Sequence, residues 1–161
     1  MKEYRTQDQI DDILLPEGDS VPQDVRCRAI IDVLCRIPDL DYRRLVERFQ
    51  KIEWFVPDAG DLSCFSFFDA NIDITMEVGG SPCPPGKLAL IIYLSPALEQ
   101  EPLDLVQCVV AEKLAHVILG HEKFVRLDDE SEAREKKERL SKLQHWGFPI
   151  HFKCCMITCF T

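Results

Sequence analysis

Residues 109–122 read Val-Val-Ala-Glu-Lys-Leu-Ala-His-Val-Ile-Leu-Gly-His-Glu, and the rest of the chain can be placed around this stretch. Taken back to Pro102, it carries Val106, Val109, Val110, Leu114, Val117 and Ile118 at helical spacing, with Gly120 positioned to end the run. The spacing predicts a core helix from Pro102 to about Leu119, apolar over most of its surface. Glu112, Lys113 and His116 are set into that surface, and Glu112 and His116, at i and i+4, share one face. His121 and Glu122 lie past the predicted end. A histidine suits the negative end of the helix dipole, so His121 reads as structural.

Upstream, Leu88-Ala-Leu-Ile-Ile-Tyr-Leu94 is the most hydrophobic run and predicts a central strand, followed by Ser95-Pro96 with N-cap and first-turn chemistry. Ile72, Ile74, Met76 and Val78 alternate with Asp73, Thr75 and Glu77, the pattern of a half-exposed strand, and Gly79 to Gly86 reads as a turn. Ile52–Val56 and Phe65–Phe68 predict two short strands, with Trp54, Phe55, Phe65, Phe67 and Phe68 as core aromatics. Nearer the amino end, Val25, Ala29, Ile30, Val33, Leu34 and Ile37 recur at helix spacing until Pro38 stops them. A second helix should begin at Asp39 or Asp41, either a good N-cap, and bury Leu45, Val46 and Phe49. Together these two predict a small antiparallel helical hairpin.

Downstream of the core helix, Glu130 to His145 is a charged helix closed by Gly147. Residues 1–21 are acidic, contain Pro-Glu-Gly-Asp-Ser, and predict a flexible acidic arm, leaving 22–161 as one domain. The expected class is α+β, with a small mixed or antiparallel sheet.

The 161 residues are 46% hydrophobic and 29% charged, a globular balance with room for one ordinary core. Lys plus Arg number 19 against 28 Asp plus Glu, a formal charge of -9 that repels a phosphate backbone and argues against nucleic-acid binding. No apolar run approaches the roughly 18 to 20 residues that cross a bilayer, so no membrane partner is expected. The first residues, Met-Lys-Glu-Tyr-Arg-Thr-Gln-Asp, lack the apolar stretch of a secretory signal, and a cytoplasmic location is expected. The eight cysteines include no C-x-x-C pair and read mostly as reduced, buried small hydrophobes. A metal site built from His151, Cys154, Cys155 and Cys159 is disfavoured, because adjacent cysteines point to different sides of any regular element.

Residues 109–122 resemble the active-site helix of zincin metallopeptidases, especially the ImmA/IrrE-type group, where His-Glu-Leu-Ala-His-Val-x-Leu-Gly-His is common. In that pattern two histidines at i and i+4 bind zinc, and the glutamate after the first polarises the metal-bound water. Set against it, His116 matches the second metal-binding histidine, while Leu114, Ala115, Val117, Leu119, Gly120 and His121 match packing positions. Glu112 stands where the first histidine belongs, and Lys113 stands where the catalytic glutamate belongs. The resemblance extends over about residues 72–148. It implies a minimal zincin-like domain with a strand like Leu88–Leu94 beside the core helix, and a third ligand from the charged helix. Glu135 is the first choice for that ligand, with Glu132 and Glu138 as alternatives.

The replacements matter chemically. A protonated ammonium at Lys113 cannot accept a proton from water and repels a dication. The expectation is therefore a catalytically inactive, metallopeptidase-like pseudoenzyme that binds a protein or peptide, holds no cofactor and has no catalytic residue. The alternative is a metal-dependent hydrolase with zinc on Glu112, His116 and Glu135, since a carboxylate also ligates zinc. A further alternative is an unrelated cytosolic interaction module. On plainer readings, His116 is a core histidine and Glu112 pairs with Lys113, another cation or His116. Glu132, Glu135 and Glu138 then line a solvated face.

Overall fold

The computed structural model describes residues 4–18, 20–57, 70–121 and 128–148. Two helices come first, α1 (Val25–Arg36) and α2 (Asp39–Arg48), then strand β1 (Phe49–Phe55). Strands β2 (Ala70–Thr75), β3 (Glu77–Val78), β4 (Ser81–Pro82) and β5 (Leu88–Leu94) follow, then helices α3 (Leu103–Ile118) and α4 (Asp129–His145). The class is α+β. No helix among the described residues is long and apolar enough to cross a membrane. The predicted strand at Phe65–Phe68, with Cys64, lies outside the described residues, as do His151, Cys154, Cys155 and Cys159.

The sheet is mixed. β5 is its central strand, parallel to β1 through Ile52↔Leu90 and Trp54↔Ile92, and antiparallel to β2 through Ile72↔Ile92 and Ile74↔Leu90. The alternating segment 72–78 breaks after Thr75: Glu77–Val78 pairs with Ser81–Pro82 instead, around Gly79 and Gly80, both at positive φ. Two successive glycines in that conformation are what a two-residue hairpin turn demands. The glycine-rich segment thus carries a short strand of its own as well as the turn.

α3 is the hub. Every side chain from Leu105 to Ala115 is buried, the signature of a helix covered on all sides. α1 packs along it through a face that includes Ala29, Ile30, Val33 and Leu34, and Gln107 donates to Asp32 at 2.9 Å to fix the pair. α2 rests on β1 and α3. The expected hairpin of α1 with α2 is therefore corrected: extended backbone at Pro38 (ψ 152°) redirects the chain, so that α1 packs on α3 and α2 on β1 and α3. The helix does start at Asp39, but neither Asp39 nor Asp41 caps it: Pro38 holds the cap position, and Asp41 is buried in the first turn, 3% exposed.

The amino-terminal arm is the largest departure. Arg5 donates to the carbonyls of Leu34 (2.8 Å) and Ile37 (3.1 Å) at the end of α1, and its guanidinium lies over the Tyr42 ring. Ile10, Leu14 and Val21 belong to the core, and the buried Trp54 indole donates to the Leu14 carbonyl at 2.8 Å. Acidic composition suggested a loose segment. A few apolar anchors and one arginine, aimed at carbonyls that a helix end leaves unpaired, fasten it instead. Phe55 is also corrected from core to surface, 41% exposed and stacked on Tyr93.

Candidate functional site

Where the helices α3 and α4 meet, their sequences place charge inside the protein. Glu112 is 2% exposed and Lys113 7% exposed, on a helix whose neighbouring side chains are apolar. Glu112 Oε1 lies 2.7 Å from Arg139 Nε of α4, and Oε2 lies 3.4 Å from the Lys113 ammonium. Burial pushes the Glu112 carboxyl up, but Lys113, Arg139 and His116 together outweigh it and hold the group below the usual carboxylate range. Glu112 is thus a carboxylate with a cation on each oxygen.

His116 stands one turn further along. Its Nδ1 is buried and has no hydrogen-bond partner among the described residues. Burial drives the imidazole down to about 4; the Glu112 carboxylate opposes this, while Lys113, Arg139 and His121 reinforce it. The ring is therefore neutral at pH 7.

The end of α3 explains how His121 joins the group. Gly120 at φ 74° lets the chain reverse, so that its N–H donates to Val117 (3.2 Å) and the His121 N–H donates to the His116 carbonyl (2.9 Å). This is the paired closure of a Schellman motif, which folds the residue after the glycine back over the last turn. His121 and His116 consequently meet edge to face with centroids 5.9 Å apart. His121 Nε2 lies 3.2 Å from Glu138, and its Nδ1 lies 3.4 Å from an Arg139 terminal nitrogen.

α4 presents these partners. Asp128 accepts from Ser131 N–H at 2.7 Å and starts the helix; Gly147 at φ 88° ends it with the same reversal, Phe148 donating to Leu143. A second buried carboxylate secures its far end: Asp41 accepts from the Trp146 indole at 2.9 Å and pairs with Lys142 at 3.0 Å.

The structure therefore unites Glu112, Lys113 and His116 and adds His121, Glu138 and Arg139. Glu135 is half-exposed on α4, one turn before Arg139, and forms no hydrogen bond or ion pair with Glu112 or His116; Glu132 is exposed. Arg139, absent from the sequence reading, occupies the role expected of Glu135 as the α4 side chain facing Glu112. The sequence signal for His121 was the Gly-His pair itself, because the reversal at Gly120 fixes where the next side chain goes. Among the described residues no three His, Cys, Asp or Glu side chains are grouped to hold a metal ion. As arranged, Glu112 and His116 do not fit zinc, which would sit against the Arg139 guanidinium and the Lys113 ammonium.

The His116 environment carries a pH signature. Its folded value of about 4 lies below the ordinary 6.5, so the unfolded chain takes up the proton first. The contribution is fully present above the unfolded value and is lost as pH falls from about 6.5 towards 4, up to about 3 kcal/mol. Glu112, depressed in the folded protein, adds a further loss at lower pH. Urea midpoints should therefore fall between about pH 7 and pH 5, and fall less steeply in His116→Gln.

In comparisons with known proteins, the chain matches no family model, no curated protein and no solved structure.

Proposed function

We propose that the chain is a zincin-like scaffold that binds a protein or peptide, in the cytoplasm, without hydrolysing it. One observation carries the reading. The helix that resembles a metallopeptidase active site keeps its packing positions and His116, yet Glu112 faces Arg139 at 2.7 Å and Lys113 at 3.4 Å. Hydrolysis by the metal-water route needs a dication and a proton acceptor here. These residues instead supply a carboxylate already paired with the Arg139 guanidinium and the Lys113 side chain. In the sheet, α3 packs on β2, the neighbour of Leu88–Leu94, where the resemblance implied that strand itself.

The test restores the chemistry. Glu112→His with Lys113→Glu rebuilds the histidine-glutamate pair, and Arg139→Gln is added because the guanidinium stands against position 112. Elemental analysis should find zinc near one equivalent in this folded variant and no retained zinc in the wild type. A wild-type protein that retains one zinc and cleaves a peptide, with both lost in His116→Ala, would establish the Glu-His-Glu hydrolase instead. A reverted variant that folds and takes up no zinc would remove the zincin scaffold.

A further inference from the structure

Arg139 is 7% exposed, but its guanidinium is held at few points. Nε lies 2.7 Å from Glu112 Oε1 without hydrogen-bond alignment, and one terminal nitrogen makes a long 3.4 Å contact to His121. A guanidinium has five N–H groups and binds a carboxylate most strongly through a two-point fork. The buried His116 Nδ1, within the field of the same guanidinium, also has no hydrogen-bond partner among the described residues. Buried polar atoms are satisfied in the great majority of cases, so two exceptions in one cluster call for an explanation.

α4 is also attached unevenly. From Asp129 to Glu138 it buries no side chain; Arg139 is its first buried residue, followed by Leu143, with Trp146 and Phe148 beyond the helix. The downstream end is anchored by apolar burial and by Asp41. The upstream half is tied to the end of α3 by polar contacts, Glu138 to His121 and, just beyond it, Arg139 to Glu112. Leu143, Trp146 and Phe148 all lie downstream of it.

We infer that the seam between α3 and α4 is a guanidinium-binding site, that Arg139 is its resident occupant, and that an arginine side chain of a protein partner displaces it. The inference rests on the binding-scaffold reading above and names the chemistry of the partner. Glu112 supplies a buried carboxylate; Lys113 lies 3.4 Å from one of its oxygens, and the other is the acceptor that the Arg139 guanidinium faces at 2.7 Å. The chain itself places that group there.

The experiment removes the occupant and offers a replacement. Arg139→Ala is melted with and without millimolar ethylguanidinium, with ethylammonium as the control. Ethylguanidinium should raise Tm by about 5 °C or more, ethylammonium by far less. The rise should vanish in Arg139→Ala/Glu112→Gln. Folding of Arg139→Ala only when ethylguanidinium is present supports the site equally; if that variant stays unfolded in both, Arg139→Gln is titrated in its place. No rise, or an equal rise in the double variant, overturns the site. In the wild type, a capped peptide containing arginine should speed amide exchange at 129–138 and leave 140–147 unchanged, whereas its citrulline counterpart should not. No change with the arginine peptide overturns displacement. Zinc content and peptide cleavage are measured separately, so failure here leaves the scaffold reading standing, and failure there is recognised on its own.

Discussion

Arg139→Met should destabilise the protein by about 3–5 kcal/mol, because it leaves a buried carboxylate without one of its two counter-ions. Both partners are under a tenth exposed, so solvent cannot compensate for the loss, as it does for surface pairs. Lys113, 3.4 Å from the other carboxylate oxygen, keeps the loss towards the lower end. Methionine retains most of the aliphatic length, which separates charge from packing. The double variant Arg139→Met/Glu112→Met should recover most of the stability, since replacing a buried pair with apolar side chains is often neutral or favourable. Urea unfolding of the four proteins decides the matter. If Arg139→Met alone costs under about 1 kcal/mol, the pair has the worth of a surface contact and Glu112 is solvated in solution.

A comparable effect is expected at Trp146. It is 1% exposed, and its indole N–H donates to Asp41 at 2.9 Å, joining α4 to α2 across most of the chain. Trp146→Ala removes a large core side chain and should cost about 3–5 kcal/mol. Trp146→Phe keeps ring bulk and loses the donor, for about 1–2 kcal/mol, while Lys142 at 3.0 Å continues to hold Asp41. Near-equal costs for the two variants would place the whole effect in the hydrogen bond.

Which parts of this were readable from the chain follows from the range of each signal. Helix-ending signals were reliable. Pro38, Gly120 and Gly147 closed α1, α3 and α4 where their backbone preferences required, and the run Leu88–Leu94 is the central strand. Glu112 and His116 share a helix face because i and i+4 always do. Pairings set by tertiary structure were not readable. The charged periodicity of α4 showed a helix, but nothing local distinguished Arg139, which turns inward, from Arg134, which stays exposed. Arg5 finds its carbonyl acceptors some thirty positions away, and Asp41 finds the Trp146 indole at the other end of the chain. Phe55 has the composition of a core residue, but strand alternation puts Trp54 inside and its neighbour out.

The Trp54–Leu14 hydrogen bond bears on how the protein comes apart. With Val56 also donating to Ser20 and Lys51 paired to Glu17, the described part of the arm and the segment 51–56 are cross-linked at three separate heights. They should open together in hydrogen exchange as one cooperative unit, with the indole proton of Trp54 among the slow ones. A chain trimmed to begin at Pro22, the boundary that acidity alone suggests, would strip the cover from Trp54 and leave its N–H without an acceptor. Such a fragment should melt well below the intact chain, and protease nicks ahead of Pro22 should be as disruptive as nicks inside the core.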